Sequence, residues 1–248
     1  MSIFRKVPTK SSAPKGLKKI LREWVEALLF AFVIAFVFRT WIYAPFRVPT
    51  GSMIPTINVG DHIMADMSAY GYQIPFTDYR ILEKQIQRGD VVIFPSPLNP
   101  VVCDSNIYSA YDTFVSLVVG FVKKDYVPTC MDFIKRVVAV EGDTIEFSGE
   151  DFLVNGEKEK NYVPFYNPYL PPVMLFFKDQ MPKNSVFTMG DNRRDSLDGR
   201  FWHIDNQVLS YVSRSKVRAK AKWIYFSMDP QKSIFNGIQW NRMFTAIK

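Results

Sequence analysis

The hydrophobic positions of this chain form one long apolar run near its start and much shorter runs afterwards. Residues 27–38 carry no polar side chain, and the polar residues of the mostly apolar stretch 24–43 lie near its ends. Trp24 and Trp41 are separated by about 25 Å along a helix with a rise of 1.5 Å per residue, close to the ~30 Å of a bilayer core. Since tryptophan favours membrane interfaces, the run predicts one N-terminal transmembrane helix.

Beyond residue 44 the pattern is typical of short β-strands separated by turns. Runs rich in Val, Ile and Phe are bounded by Gly, Pro, Asn and Asp, and Asn155-Gly156 is a tight-turn signal. No long amphipathic period and no internal repeat follows the apolar run. We therefore predict a mainly-β body over residues 44–248. Its strands are expected at His62–Ala65, Val91–Phe94, Ile134–Val140, Thr144–Phe147, Phe152–Val154, Val186–Met189 and Lys216–Phe226.

Two stretches interrupt this pattern. Residues 95–131 are rich in Pro, Ser and Asn but contain the apolar run Phe114–Val122, which is too short to span a bilayer. It either packs on the core or dips into the membrane surface. Residues 157–184 are rich in proline and aromatic residues. We interpret 95–131 as an insertion and place 157–184 within a small lobe at about 144–188.

The basic charge is confined to the segment before the apolar run. Seven of the 31 basic residues lie in residues 1–22, which contain no Asp or Glu, so the other 24 balance 24 acidic residues. The body therefore lacks the electropositive excess that favours nucleic acid. The basic flank and the lack of an Ala-x-Ala-like site after the run favour an uncleaved anchor at 24–43 over a removed signal or a buried helix. The positive-inside rule then places the tail, residues 1–23, in the cytoplasm.

Histidine and cysteine are too scarce for the common hydrolase and metal sites. Only His62 and His203 are available to a Ser-His-Asp triad. His62 lies at a strand entry, where a surface or half-buried histidine is unremarkable, and the aromatic pair before His203 favours a packing role. Cys103 and Cys130 are too few and too widely spaced for a zinc ribbon. Outside the cytoplasm they form either one disulfide or two buried thiols. We expect neither metal nor cofactor.

A serine served by a lysine is the remaining hydrolytic arrangement. Ser52 lies in a segment where two prolines and a glycine restrict the backbone, as an exposed nucleophile on a rigid loop requires. Lys135 lies in an apolar strand pattern, where the alternative is a solvent-facing side chain. A lysine with a pKa near 10.4 is neutralised at pH 7 only at a cost of about 4.6 kcal/mol. Burial beside Phe133, Ile134 and Val137 would supply that shift.

Four segments, in order behind the apolar run, resemble the conserved boxes of bacterial type I signal peptidases. They are Pro45–Thr56, Arg88–Val92, Ile134–Val138 with Glu141–Asp143, and Gly190–Ser196. The resemblance implies a signal-peptidase-like antiparallel β catalytic domain on an N-terminal transmembrane helix. It implies a single-pass protein of the bacterial inner membrane, with that domain outside the cytoplasm. Its partners would be the phospholipid membrane and exported precursor proteins, cut after Ala-x-Ala-type sites.

The resemblance also implies roles for particular residues. Ser52 matches the nucleophile, Lys135 its base, and Thr50 a hydroxyl of the oxyanion hole. Ser196 matches a serine that orients the lysine, and Asp198 and Arg200 match a supporting ion pair. The residues that match a shallow, apolar substrate pocket are Phe46, Val48, Pro49, Met53, Ile57, Phe133 and Ile134.

Three positions depart from the family pattern. Arg194 stands where Asp is usual, and Ala139 and Glu141 stand where Gly and Pro are common. Two alternatives to a general signal peptidase stay open. One is a processing peptidase dedicated to a single secreted or pilin-like substrate, motivated by the insertion 95–131. The other is an inactive membrane-anchored binding protein, motivated by the substitutions at Arg194 and Ala139.

Overall fold

The computed structural model describes residues 16–74, 77, 79–98, 131–159, 164–202 and 210–248. The helices are α1 (Leu17–Trp41) and α2 (Ile234–Gly237), with 3-10 turns at Arg214–Lys216 and Trp240–Arg242. The strands are β1 (Tyr43–Arg47), β2 (Asp61–Asp66), β3 (Tyr72–Gln73), β4 (Arg80–Ile81), β5 (Val91–Pro95), β6 (Asp132–Val140), β7 (Thr144–Gly149), β8 (Asp151–Val154), β9 (Glu157–Lys158), β10 (Leu175–Gln180), β11 (Ser185–Met189), β12 (Val212–Ser213), β13 (Ala219–Ser227) and β14 (Thr245–Ala246).

The chain consists of two compact units, with the boundary between Phe38 and Arg39. In the first, α1 is a helix of 25 residues that continues to Trp41. Its apolar side chains are exposed along the apolar run, with Leu28, Leu29 and Phe30 each more than 60% exposed. Within the ranges described above, no helix is both long and apolar enough to qualify as a membrane span.

The second unit is built on an antiparallel sheet of eight strands. Seven follow the order β1-β2-β13-β5-β6-β11-β12, and β14 pairs with β13. The central strands β5 and β11 are buried along their whole length. Because both of their faces are covered, neither strand shows strict alternation of apolar and polar residues: β5 is wholly apolar, and β11 is apolar except for the buried Ser185 and Thr188. Strand β6 lies between them and carries Lys135 in its first half.

A smaller sheet, with strand order β10-β7-β8-β9, forms the lobe that we define as residues 144–180. Asn155 and Gly156 both have positive φ in its tight turn, as that pair of residues predicts. The lobe joins the main sheet through aromatic packing. The fully buried ring of Phe187 on β11 lies 6.1 Å from both Phe147 and Phe152, centroid to centroid.

The mainly-β prediction is confirmed, and each of the seven predicted strands overlaps an observed one. The predicted strand Lys216–Phe226 begins later, at Ala219, because Arg214–Lys216 forms a 3-10 turn. Strand β10 was not predicted. Its polar second half, Lys178–Gln180, and the prolines before it look like loop sequence, yet it pairs with β7 over six residues. The predicted domain boundaries stay a prediction.

We expect Phe187→Ala to destabilise the protein by about 3–5 kcal/mol, because it opens a cavity where the two sheets meet. Chemical denaturation monitored by tryptophan fluorescence measures the loss. Phe176→Ala is the matched control, since the Phe176 side chain is 77% exposed and its removal should cost little. Equal losses for the two variants would contradict this account of the junction.

Candidate active site

Ser52 lies on a loop whose ends are fixed by backbone hydrogen bonds. We call residues 48–61 the Ser52 loop. Val48 N–H donates to the Asp61 carbonyl at 3.0 Å, and Gly60 N–H donates to the Val48 carbonyl at 3.1 Å. Met53 and Ile57 insert from the loop into the apolar core of the main sheet. The rigidity predicted for this segment thus comes from closed ends and two buried apolar side chains.

Lys135 reaches Ser52 from strand β6. Its Nζ donates to Ser52 Oγ at 2.7 Å, and the two residues are only 5% and 8% exposed. The amine also lies 5.4 Å from the centre of the Phe133 ring, two residues earlier on β6. The structure therefore brings the predicted nucleophile and base into direct contact at a site shielded from water.

Burial lowers the pKa of Lys135 to about 8. The carboxylates of Asp198 and Asp191 oppose the shift because they favour a charged amine, whereas the Arg200 guanidinium adds to it. At a pKa of 8, neutralising the amine at pH 7 costs about 1.4 kcal/mol, against about 4.6 kcal/mol for an ordinary lysine. A useful fraction of the amine can therefore accept a proton near neutral pH.

A second segment, residues 190–196, packs against the Ser52 loop, and we call it the Gly190 segment. Asn192 N–H donates to the Ser52 carbonyl at 3.0 Å, and Asn192 Nδ2 donates to the Gly51 carbonyl at 3.2 Å. A Cβ at Gly190 would lie 2.5 Å from the Ser52 carbonyl oxygen and 2.6 Å from Ser196 Cβ. Only glycine permits this approach without displacing the backbone that carries the nucleophile.

Asp198 and Arg200 form the predicted ion pair. The Arg200 guanidinium binds both carboxylate oxygens of Asp198, at 2.8 and 2.9 Å, and also donates to the Arg193 carbonyl. Gly190 N–H donates to Asp198 Oδ2 at 3.0 Å. Burial alone would raise the pKa of Asp198, but the charge and hydrogen bonds of Arg200, with smaller contributions from Gly190 and Ser196, lower it below the ordinary value. The pair therefore keeps Asp198 negatively charged where it accepts the hydrogen bond from Gly190.

A buried ion pair that the sequence analysis did not identify lies beside the base. Arg136 binds both oxygens of Asp191 at 2.7 Å, with each side chain 1% exposed. Thr56 Oγ1 donates to Asp191 Oδ2 at 2.6 Å. The pair connects β6, the Gly190 segment and the Ser52 loop. Both residues lie in segments that resemble the family boxes, where Arg136 directly follows Lys135 and Asp191 directly follows Gly190. This adjacency in the sequence could have identified them as candidates.

The other predicted residues occupy varied environments. Thr50 is exposed and adjoins the Gly51-Ser52 turn. Ser196 Oγ is buried and makes no hydrogen bond of ordinary geometry within the described residues. It contributes to the low pKa of Asp198, and no hydrogen bond from it to Lys135 is present. The roles proposed for both hydroxyls stay predictions.

The predicted pocket residues divide into two groups. Val48, Met53 and Ile57 are at most 3% exposed and belong to the core, so they would shape a pocket from beneath. Those with some exposure, which could touch a substrate, are Phe46, Pro49, Phe133 and Ile134.

Of the remaining candidates, only His62 lies among the described residues. His62 packs edge-on against Tyr225 and Phe226, and burial lowers its pKa, in keeping with the half-buried strand position expected for it. His203, Cys103 and Cys130 lie outside the described residues. Within the ranges that the structure describes, no group of three His, Cys, Asp or Glu side chains is arranged to hold a metal ion.

A family model and curated relatives identify one family. The family described as "Signal peptidase, peptidase S26" matches residues 21–226. Signal peptidase I of Pseudomonas aeruginosa is 29% identical over 244 residues, covering 86% of this chain and 76% of that protein. Signal peptidase I of Mycobacterium tuberculosis is 31% identical over 217 residues, 77% of this chain and 66% of that protein. A crystal structure of a signal peptidase I from Enterococcus faecalis matches with a TM-score of 0.32 and 19% identity, covering 55% of this chain and 97% of that one.

We expect the reactivity of Ser52 toward a covalent serine-directed probe to rise about tenfold between pH 7 and 9. The amine must be neutral to accept the serine proton, and its pKa of about 8 makes the neutral fraction grow through this range and then level off. Labelling rates measured from pH 6 to 10 test this, with Ser52→Ala as the unlabelled control. A flat profile, or a midpoint near 10.5, would contradict a buried base.

Proposed function

The chain belongs to the signal peptidase family, peptidase S26, and we propose that it cleaves exported precursor proteins with Ser52 as nucleophile and Lys135 as general base. It is a signal peptidase I, an enzyme that removes N-terminal signal peptides. The observation that carries the catalytic assignment is the 2.7 Å contact between Lys135 Nζ and Ser52 Oγ at a site where the amine is buried.

In the proposed reaction Lys135 acts first as a base and then as an acid. A neutral Lys135 takes the hydroxyl proton as Ser52 Oγ attacks the scissile carbonyl, and the resulting ammonium then protonates the leaving amine. Water activated by Lys135 hydrolyses the acyl-enzyme. The Ser52 main-chain N–H has no acceptor among the described residues, so it is available to the developing oxyanion. We assign the Thr50 hydroxyl as its second donor.

The surroundings of the pair suit a small substrate side chain. The exposed pocket candidates are apolar, and the side chains beneath them, such as Met53 and Ile57, fill the space that a deeper pocket would need. A shallow apolar site accepts alanine-sized groups and rejects larger ones by steric exclusion. This supports cleavage after Ala-x-Ala-type sequences.

We expect Ser52→Ala and Lys135→Ala each to reduce precursor cleavage in detergent by at least a thousandfold, since each removes one half of a unit that acts together. Cleavage is followed by gel mobility of a purified precursor. Lys158→Ala is a matched lysine control, because the Lys158 side chain is 69% exposed on the lobe. Full activity in either dyad variant would exclude the proposed mechanism.

The range of substrates separates a general enzyme from a dedicated one. A general signal peptidase cleaves most members of a panel of unrelated precursors and rescues cells depleted of their own enzyme. Cleavage of a single member of the panel would instead indicate a dedicated processing peptidase.

We also propose that α1 anchors the protein in the bacterial inner membrane as a single span, with the basic tail in the cytoplasm and the catalytic unit outside. Residues 27–38 carry no polar side chain, and a helix of 25 residues measures about 37 Å. The cations Lys18, Lys19 and Arg22 all precede this run, in the order that the positive-inside rule requires. The catalytic pair would then face newly exported chains.

We expect Phe30→Glu combined with Ile34→Glu to release the protein from membranes during alkaline extraction, because two carboxylates in the bilayer core are costly. Tyr169→Glu with Phe176→Glu is the control, since both side chains are exposed on the lobe. Labelling of introduced cysteines on either side of the membrane tests the orientation. Retention of the Phe30/Ile34 double variant in the membrane would contradict the anchor.

A further inference from the structure

The Gly190 segment is attached to the lobe as well as to the Ser52 loop, through two consecutive arginines. The guanidinium of Arg193 binds Glu159, with contacts of 2.6 and 2.7 Å, and both side chains are buried. Arg194 binds Glu150 through both carboxylate oxygens at 2.8 Å. The segment that touches the nucleophile is therefore held by two carboxylates of the lobe.

Arg194 makes more contacts with the lobe than this single ion pair. Its Nη1 donates to the carbonyls of Asn167 and Leu170 at 3.2 and 3.1 Å. Its guanidinium carbon lies 5.9 Å from the centre of the Tyr166 ring. One side chain thus binds the turn between β7 and β8 at Glu150 and the chain 166–170 together. The planar fork of an arginine suits this task, because it directs several donors at fixed angles.

The contacts of the Arg194 side chain with the lobe are an ion pair, two hydrogen bonds to carbonyls and a cation–aromatic contact. A small open cleft beside Met189 adjoins this attachment, and its lining combines the apolar Phe147, Val173 and Leu175 with Glu150, Tyr166, Arg193 and Arg200. The two arginines therefore attach the Gly190 segment to the lobe in addition to the main-chain hydrogen bonds of Phe165 with Asp191 and Arg193.

We propose that Arg194 is a positioning residue of the active site, which together with Glu150 fixes the Gly190 segment against the Ser52 loop and keeps water from Lys135. Arg194 acts through the segment: Asn192 holds the Ser52 carbonyl, and Gly190 packs against it without a side chain. The proposal rests on the proposed function of the Ser52–Lys135 pair.

Weakening the attachment of the Gly190 segment to the lobe should change the pH dependence of cleavage. If the segment moves away, water reaches the amine and the pKa of Lys135 returns toward its ordinary value. The charged groups that face Lys135 are Asp191, Asp198 and Arg200, and an Arg194 variant keeps all three. Displacement of the Asp191 carboxylate, which Arg136 binds, would lower the pKa of Lys135, so a rise in the midpoint of the pH profile reports hydration of the amine.

We expect Arg194→Ala in the full-length protein to lower kcat for precursor cleavage about tenfold, with little change in KM. The midpoint of the pH profile should rise above about 8, while the midpoint of thermal unfolding changes by only a few degrees, because the pair is partly exposed. Arg194→Lys should recover only part of the loss, since lysine keeps the charge but lacks the fork.

Charge reversal and a matched control sharpen the test. Glu150→Arg combined with Arg194→Glu should be more active than either single variant. Lys158→Ala removes the exposed Lys158–Asp151 pair of the same lobe and should leave the pH profile unchanged. Additive effects of Glu150→Ala and Arg194→Ala would overturn the proposal, and so would an unchanged pH profile or a loss of activity equal to the unfolded fraction.

The two proposals fail in different ways. Cleavage that persists in Ser52→Ala would overturn the proposed function. If wild type cleaves the precursor, Ser52→Ala does not, and Arg194→Ala equals wild type in kcat and pH profile, only the positioning role is overturned.

Discussion

A lysine can take a proton from serine only while it is neutral, and this protein meets that condition by excluding water from the amine. Burial brings the pKa of Lys135 to about 8 even though two carboxylates nearby act in the opposite direction. The balance is delicate because Asp191 and Asp198 are themselves buried. Each needs an arginine of its own, and much of the surrounding structure supplies and holds those arginines.

The fold satisfies these demands by bringing three pieces of chain to one place. Strand β6 lies between β5 and β11 in the main sheet and fixes the backbone of Lys135. The Ser52 loop is closed by its own backbone hydrogen bonds. The Gly190 segment joins the two, through Asn192 on the loop side and Asp191 on the Arg136 side. Buried ion pairs contribute little net stability, so we infer that these pairs mainly determine the alignment of the three pieces.

Local patterns predicted the parts of this structure that local patterns determine. The seven strands were found because apolar runs and turn residues are visible within a few positions, and resemblance to a family pointed to Ser52 and Lys135. Strand β10 was missed because its pairing with β7 compensates for a polar sequence. The carboxylates Glu150 and Glu159 could not be predicted, since they lie 44 and 34 residues from their arginines. The burial of Val48 and Ile57 could not be predicted either, because it depends on side chains distant in the sequence that pack around them.

The way in which the Gly190 segment is held has a consequence for how this protein can change over generations. Main-chain groups make many of its contacts: Asn192 N–H with Ser52, Phe165 N–H with the Asp191 carbonyl, and Arg193 N–H with the Phe165 carbonyl. Contacts of that kind depend on the number of residues more than on their identity. Insertions and deletions should therefore be rejected here more strongly than substitutions of side chains that do not position the site.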